Sequence, residues 1–279
     1  MKALDKIREI VNKFSFNIRE AQEIICHVLK IDKIQLYTEN PEITSEQAHT
    51  IKSLIERRLK KEPLQYIIGE CYFYNIKIKV GRGVLIPRPE TEILVEQVLE
   101  RQKLISNTGN RILDLCTGSG CIALAIGKNA PEFQIFGIDK SEKAVKYATE
   151  NKALNNIKNV IFLVGDMFNP FKEKIFACIT ANPPYVKTDE ISKLQPEIKN
   201  YEPLEALNGG EDGLNFYRKI IENAEKYLLN SGLIFLEIGQ GQAKAVQNIA
   251  LMSGFNVIEV VKDIAGIDRV MILQKSKSL

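Results

Sequence analysis

The sequence predicts an α/β fold in which a doubly wound, mostly parallel sheet follows a small N-terminal helical region. Two observations support this prediction. Apolar residues recur at helical spacing through residues 4–59. From Arg111 onward, short apolar segments alternate with helical patterns, and repeated β-α units imply parallel strands covered by helices on both faces. A chain of 279 residues can form one large domain, or a medium and a small one.

The first 68 residues are predicted to form a helical bundle. A helix start is expected at Thr44-Ser45-Glu46, because a hydroxyl residue precedes an apolar helical pattern. A basic run between residues 52 and 61 could meet an acidic partner, although a solvated helix face is the simpler interpretation. The apolar stripes that predict the core are Leu4, Ile7, Ile10 and Val11; Ala21, Ile24, Ile25 and Val28; and Ile51, Leu54, Ile55 and Leu59.

Residues 69–86 are predicted to be a β-hairpin linker. Aromatic and β-branched residues cluster at 71–80, and Gly81-Arg82-Gly83 ends this segment. A helix is expected after Pro89, at the start of a second domain over 87–279. The further strands are predicted at 112–116, 134–138, 160–164, 175–181, 233–238, 255–261 and 269–273, and the helices at 120–128, 142–151, 214–229 and 242–252.

Composition limits the classes of function. The formal net charge of +3 gives little support for a broad basic nucleic-acid surface, so no stable nucleic-acid binding is expected. Five cysteines without a C-x-x-C pair, together with two histidines, indicate reduced thiols in the cytoplasm and no metal site. No apolar run is long enough for a membrane span. The free protein is expected to be a monomer.

A glycine-containing loop joins a predicted strand to a helix at residues 114–120. Gly118 and Gly120 let the backbone turn tightly and approach a ligand. Asp139 follows the next strand, where a carboxylate can accept hydrogen bonds from ribose hydroxyls. The spacing fits neither a dinucleotide fingerprint nor a P-loop.

An acid at the start of the loop and a second acid after the next strand resemble the S-adenosylmethionine fingerprint, whose cationic sulfonium and ammonium suit carboxylates. A purely structural glycine turn is the alternative, and Asp166 could likewise be a simple turn residue. The residues predicted to bind this cofactor are Cys116, Thr117, Gly118, Ser119, Gly120, Asp139, Asp166, Met167 and Asn182.

The tetrapeptide Asn182-Pro183-Pro184-Tyr185 follows a strand and is the predicted catalytic and substrate-binding site. Two prolines fix two φ angles and make the loop stiff. An amide nitrogen is a poor nucleophile, so two fixed acceptors are needed to orient its NH₂ group. The Asn182 side-chain oxygen and the Pro183 carbonyl are suitable acceptors, and Tyr185 could stack on a planar substrate group.

The glycine loop together with this tetrapeptide resembles the methyltransferases that act on adenine, cytosine or glutamine nitrogens. More narrowly, the chain resembles the peptide chain release factor glutamine methyltransferases. The segments that carry this narrower resemblance are Ile86-Pro87-Arg88-Pro89-Glu90-Thr91-Glu92, residues 114–123, Tyr201-Glu202-Pro203-Leu204-Glu205-Ala206-Leu207, and Ala265-Gly266-Ile267-Asp268-Arg269.

This resemblance implies that residues 87–279 form a seven-stranded, Rossmann-like S-adenosylmethionine-dependent methyltransferase domain, and that residues 1–68 form a helical domain that binds the substrate. The family methylates the side-chain nitrogen (N5) of the glutamine in the Gly-Gly-Gln motif of class 1 release factors. The chain departs from many relatives at Cys116, where they have glycine, and at Met167, where they often have an aromatic residue. Arg88 and Glu90 could close over a ligand or form an internal ion pair. The same two roles are possible for Glu237 and Gln240.

Two other functions share parts of this pattern. A DNA or RNA adenine methyltransferase would use the same loop chemistry on a flipped base, but no large recognition insert is evident in the sequence. A non-catalytic cofactor-binding protein of the same fold would have no need of paired acceptors.

Overall fold

The computed structural model describes residues 1–173 and 175–275, and the chain forms two compact units. The smaller unit contains Met1–Gly69 and Pro196–Tyr201, and the larger unit contains Glu70–Gln195 and the chain from Glu202 onward. The helices of both units, in chain order, are α1 (Ala3–Phe14), α2 (Ile18–Leu29), α3 (Lys33–Glu39), α4 (Ser45–Leu59), α5 (Leu64–Ile68), α6 (Glu92–Glu100), α7 (Gln102–Thr108), α8 (Cys121–Asn129), α9 (Glu142–Leu154), α10 (Pro196–Tyr201), α11 (Asn215–Ala224) and α12 (Ala243–Met252).

The smaller unit is a helical bundle, as its apolar periodicity predicts. The side chains of Ile24, Ile25 and Ile51 are fully buried between its helices. The predicted helix start is confirmed: the Thr44 hydroxyl accepts a hydrogen bond from the Gln47 N–H, and the Gln47 side chain accepts one from the Thr44 N–H. Helices α3, α5 and α10 were not predicted.

Two arginines of the basic run near the end of α4 form ion pairs inside the smaller unit. The Arg58 guanidinium contacts Glu20 at 2.9 Å and Glu197 at 3.2 Å. Arg57 contacts Glu62 at 2.7 Å. The carboxylates of the unit itself therefore satisfy both guanidinium groups.

The larger unit is built on nine strands among its described residues. A two-stranded antiparallel hairpin precedes a seven-stranded sheet of order β5-β4-β3-β6-β7-β9-β8, in which β9 runs antiparallel to both of its neighbours and the other pairs are parallel. This confirms the predicted doubly wound, mostly parallel fold. The strands are β1 (Glu70–Phe73), β2 (Ile76–Lys79), β3 (Arg111–Leu115), β4 (Gln134–Asp139), β5 (Val160–Val164), β6 (Phe176–Ala181), β7 (Leu228–Glu237), β8 (Phe255–Lys262) and β9 (Asp268–Lys275).

The hairpin packs against α9 through side-chain amides. The Asn151 amide accepts a hydrogen bond from the Lys79 N–H at 2.7 Å and donates to the carbonyls of Lys79 and Ser119 at 3.1 and 3.0 Å. The Asn155 amide pairs in the same way with the backbone of Lys77. These bonds join the hairpin, the glycine loop and α9.

The prediction of one helix over 214–229 is wrong at its C-terminal end. Helix α11 stops at Ala224, and β7 begins at Leu228, five residues earlier than predicted. The residue types of Asn230-Ser231-Gly232 are typical of a turn, but the three residues lie within β7. Ser231 has a φ of 66°. The register between β6 and β7 shifts here, so the polar residues sit at an irregularity rather than at the strand's start.

The strand order places two loops side by side. Strand β3 pairs with β4 on one side and with β6 on the other, so the chain reverses its direction of winding between β3 and β6. Ligands of open α/β sheets bind at the carboxyl ends of strands at such a point. The loops that begin at Cys116 and Asn182 follow β3 and β6 directly. Within the described ranges, no helix has the length and apolar character needed to cross a membrane.

Candidate active site

The loop after β3 has the backbone that its glycines predict. Gly118 and Gly120 have φ angles of 54° and 81°. A Cβ on Gly120 would lie 2.7 Å from the Phe162 ring, so no side chain fits there. Cys116 has a φ of 55°, so this non-glycine residue adopts the left-handed conformation.

Asp114 faces the protein interior. Its carboxylate is fully buried and accepts hydrogen bonds from the hydroxyls of Thr117 at 2.5 Å and Thr180 at 2.8 Å. Burial raises the pKa of Asp114 to about 7, against the opposing effect of these hydrogen bonds and of the Ala123 N–H. Asp114 therefore joins β3, β6 and the glycine loop, and is not a residue that contacts a ligand.

Asp139 closes the glycine loop from the end of β4. One carboxylate oxygen accepts the Gly118 N–H at 2.9 Å, and the other accepts the Ser141 N–H at 2.9 Å. Burial raises the pKa of Asp139, and these backbone donors oppose the rise. A carboxylate has about four lone-pair positions, so two backbone bonds leave capacity for ligand hydroxyls.

A cavity of about 600 Å³ opens beside these loops. This volume lies within the range of small-molecule sites. Its walls contain most of the residues predicted to bind the cofactor, and segments 83–91 and 203–208 also contribute to them. The predicted residues that line the cavity are Cys116, Thr117, Gly118, Ser119, Asp139, Asp166, Met167, Asn182 and Pro184.

Three of the predicted site residues do not line this cavity. Gly120 and Pro183 are buried. Tyr185 is partly buried, and its hydroxyl donates to the carboxylate of Glu237 at 3.3 Å. Burial and the neighbouring carboxylate of Glu237 raise the pKa of Tyr185, so the phenol stays protonated at neutral pH.

Hydrogen bonds from two other segments of the chain hold the tetrapeptide that follows β6. The Gln242 amide donates to the Tyr185 carbonyl at 3.0 Å, and the backbone of Val186 exchanges hydrogen bonds with Leu207 and Gly209 at 2.9 and 2.8 Å. The loop is therefore fixed by these bonds as well as by its two prolines. Gln242, rather than the exposed Gln240, is the glutamine that contacts the tetrapeptide.

A buried hydroxyl connects Asn182 to Glu237. The Asn182 Nδ2 group donates to Thr91 Oγ1 at 3.1 Å, and Thr91 Oγ1 donates to Glu237 Oε2 at 2.6 Å. Burial raises the pKa of Glu237 to about 7, against the effects of hydrogen bonds from Thr91 and Tyr185 and the nearby charge of Arg269. Glu237, whose role the sequence did not decide, thus accepts hydrogen bonds from Thr91 and Tyr185.

Arg88 forms an internal ion pair, which was one of its two predicted roles. Its guanidinium contacts Glu202 Oε1 at 2.6 Å, and the Glu202 side chain is only 1% exposed. The other Glu202 oxygen accepts the Ile86 N–H at 3.3 Å. This carboxylate therefore connects the segment before α6 to the start of segment 203–208, and both segments line the cavity. Among the described residues, no cluster of three or more His, Cys, Asp or Glu side chains could hold a metal ion.

Thr91 and Phe216 are two of the cavity residues that motif reasoning missed. Thr91 lies inside the quoted segment 86–92, yet nothing in its neighbours shows that it contacts Asn182. Phe216 lies in the first turn of α11 after a glycine-rich loop, and its apolar neighbours Tyr217 and Ile220 suggest only a core helix. Both residues reach the site through tertiary packing.

Comparison with known proteins identifies the family. The model of the PrmC N-terminal domain matches residues 3–69, and the model of the methyltransferase small domain matches residues 89–198. A release factor glutamine methyltransferase from Clostridium acetobutylicum is 40% identical over 276 residues, which cover 98% of this chain and 95% of the relative. The chain belongs to the release factor glutamine methyltransferase family. The Fusobacterium nucleatum member is 42% identical over 260 residues, or 92% of this chain and 73% of the relative.

Solved structures show the same fold at low sequence identity. The catalytic domain of hMettl16, in complex with a MAT2A 3'UTR hairpin, aligns with a TM-score of 0.57 and 16% identity. The alignment covers 85% of this chain and 83% of that structure. This similarity confirms the methyltransferase fold of the larger unit, and its identity is too low to transfer a substrate.

Proposed function

We propose that this member of the family transfers a methyl group from S-adenosylmethionine to the side-chain amide nitrogen of the glutamine in the Gly-Gly-Gln motif of class 1 release factors. The observation that carries the proposal is the orientation of Asn182 at the cavity. Its NH₂ group is bonded to Thr91, and none of the described residues donates a hydrogen bond to its Oδ1. Oδ1 is therefore available to accept from a substrate NH₂ group.

The cavity has the chemistry that S-adenosylmethionine requires. Its lining includes the apolar side chains of Val84, Leu85, Ile138, Met167 and Phe216, which suit an adenine ring, and the carboxylates Asp139 and Asp166, which suit ribose hydroxyls and an ammonium group. When bound, the cofactor supplies an electrophilic methyl group on a cationic sulfonium. We therefore expect Cys116 to Gly120, Asp139, Asp166, Met167 and Asn182 to form its site, with Gly120 acting through the shape of the loop.

The tetrapeptide fits a planar amide as the methyl acceptor. Asn182 Oδ1 and the Pro183 carbonyl are two acceptors on one rigid loop, and together they can hold both hydrogens of an NH₂ group. Fixing the plane of the amide aims its nitrogen at the methyl group and avoids reorganisation during transfer. Pro184 lines the cavity beside Asn182, and the Tyr185 ring lies on the same stiff loop, where it can bound the substrate group.

The remaining parts of the chain fit a protein substrate. We propose that residues 1–68 form the domain that binds the release factor, that residues 69–86 are the connecting hairpin, and that residues 87–279 carry out the transfer. Family membership and the independent helical core of the smaller unit support this division. A release factor acts in translation, so we place the enzyme in the cytoplasm.

Mass spectrometry of purified release factors tests the proposal. Incubation with the protein and S-adenosylmethionine should add one methyl group to the peptide that contains Gly-Gly-Gln, and fragmentation should place it on the glutamine. Asn182→Ala should abolish transfer while the Kd for S-adenosylhomocysteine changes little. Asn223→Ala, in α11 and outside the lining of the cavity, is the matched control and should remain active.

One result would contradict this function, and a second would contradict the role given to Asn182. A methyl group gained by an oligonucleotide, and not by the release factor, would make the protein an adenine methyltransferase. Near-normal turnover of Asn182→Ala would remove the Asn182 side chain from the mechanism even if the substrate is correct.

A further inference from the structure

Thr91 and Glu237 lie behind Asn182 and Tyr185 and are almost inaccessible to solvent. Thr91 is 2% exposed and Glu237 is 1% exposed. Glu237 accepts from the Thr91 hydroxyl with one oxygen and from the Tyr185 hydroxyl with the other. Thr91 in turn accepts from the Asn182 NH₂ group. One carboxylate is thus connected to both ends of the tetrapeptide.

The direction of these hydrogen bonds follows from the number of protons. An ionised carboxylate can only accept, so Glu237 takes the single proton of the Thr91 hydroxyl. Thr91 then has only lone pairs to offer Asn182. The asparagine must therefore turn its NH₂ group toward Thr91 and its Oδ1 atom away from it. The opposite amide orientation would place two lone-pair oxygens against each other.

We infer that Thr91 and Glu237 are positioning residues that fix the amide of Asn182 with its oxygen toward the substrate. The inference rests on the proposed function, because it assigns Oδ1 the task of holding the glutamine NH₂ group. Without Thr91 Oγ1, the two amide orientations of Asn182 become similar in energy. The flipped orientation presents an NH₂ group to the substrate NH₂ group and cannot hold it.

A purely structural role for this pair would have different consequences. Thr91 and Glu237 also connect the segment before α6 to the end of β7, so their loss could weaken folding or the cofactor site. A structural defect would lower thermal stability and cofactor affinity together with turnover. A positioning defect lowers kcat while the cofactor still binds.

The first test compares Thr91→Val with Thr91→Ser at a pH about one unit above the pKa of Glu237. Valine keeps the shape of threonine and lacks the hydroxyl, whereas serine keeps the hydroxyl. We expect kcat on the release factor to fall about tenfold to a hundredfold in Thr91→Val, the range expected for the loss of one buried hydrogen bond. The Kd for S-adenosylhomocysteine should stay within about threefold. Thr91→Ser should retain most of the wild-type kcat, and Thr149→Val, on the exposed face of α9, is the control.

The second test places Glu237 in the same chain of contacts. In Glu237→Gln an NH₂ group replaces one of the two carboxylate oxygens, so the side chain can no longer accept from the Thr91 hydroxyl with one oxygen and from the Tyr185 hydroxyl with the other. If Thr91 and Glu237 act through one contact, the double variant should lose little more activity than the worse single variant. If the activity losses of the two single variants multiply in the double variant, Thr91 and Glu237 act independently and the inference is wrong. So would a Thr91→Val kcat within about threefold of the wild type.

A measurement without turnover separates this inference from the proposed function. In ¹⁵N–¹H NMR spectra, the side-chain NH₂ signal of Asn182, identified by its absence in Asn182→Ala, should exchange slowly with solvent in the wild type and faster in Thr91→Val. A wild type that does not methylate release factors but shows this change would refute the proposed function alone. Unchanged exchange in Thr91→Val would refute the positioning role whatever the substrate is.

Discussion

The buried carboxyl of Asp114 makes a specific prediction about stability and pH. Its pKa is raised from 3.8 to about 7 in the folded protein, chiefly by burial. The folded state therefore binds this proton more tightly than the unfolded state does. Stability from this linkage is complete below the unfolded-state pKa and is lost as the pH rises through the folded-state pKa, so the free energy of unfolding should fall between pH 4 and 7.

The size of this loss follows from the pKa. A pH of about 5.5 lies about 1.5 units below a pKa of about 7, and each unit corresponds to about 1.36 kcal/mol. Raising the pH from about 5.5 to about 8 should therefore cost the wild type about 2 kcal/mol through Asp114 alone. Asp114→Asn cannot titrate, so its stability should fall by about 2 kcal/mol less over the same interval. Glu237 makes a contribution of the same sign in both proteins, and it cancels in the comparison.

Urea unfolding at the two pH values, followed by the β-sheet signal in circular dichroism, measures this difference. The sequence has no tryptophan, so intrinsic tryptophan fluorescence is not an option. Asp189→Asn, at an exposed position, should show the same pH dependence as the wild type. If Asp114→Asn loses as much stability as the wild type between these pH values, Asp114 does not hold a proton in the folded state and the argument from burial is wrong.

Three further predictions test other parts of the larger unit. In Gly137→Ala the new Cβ would lie 2.5 Å from the Phe162 ring, so thermal unfolding should show a loss of about 1–3 kcal/mol; unchanged stability would show that the ring moves freely. Arg88→Met leaves the buried Glu202 carboxylate without its cation and should cost about 3 kcal/mol in urea unfolding, and adding Glu202→Gln should recover part of it. Wild-type kcat should fall as the pH drops below about 7, where Glu237 gains a proton, and Glu237→Gln should lack this dependence; an unchanged acid limb in the variant would assign it to another group.

Local patterns predict the sheet well where an apolar run is clearly bounded. Strand β5 spans Val160–Val164 as predicted, because a run of large apolar residues ends at Gly165. The pattern fails at β7, where Asn230-Ser231-Gly232 resembles a turn. Pairing with β6 on one side and β9 on the other keeps the strand continuous there, and tertiary hydrogen bonds outweigh local preference.

The site shows the same division between local and tertiary information. The loops at 116–120 and 182–185 could be found from the sequence because each carries its own turn chemistry. Their adjacency depends on the pairing of β3 with β6, which no local pattern contains. The contact between Thr91 and Glu237 joins residues 146 positions apart and was not predictable. Asp114 was predicted as part of a cofactor fingerprint, but the strand that carries it is buried on both faces, so its carboxylate lies in the interior.

The partners of the two buried carboxylates bear on the proposed chemistry. Asp114 and Glu237 each accept hydrogen bonds from two neutral hydroxyls, and among the described residues no cation hydrogen-bonds either of them. A lysine or arginine partner would lower the pKa of each carboxyl, but it would also place a positive charge near a site proposed to bind a sulfonium cation. Hydroxyl partners leave each carboxylate without a hydrogen-bonded cation, at the cost of a raised pKa, while the more distant charge of Arg269 opposes the rise at Glu237. If the ligand is a cation, its binding should favour the ionised carboxylates, and S-adenosylmethionine should then bind more tightly above pH 7 than below it.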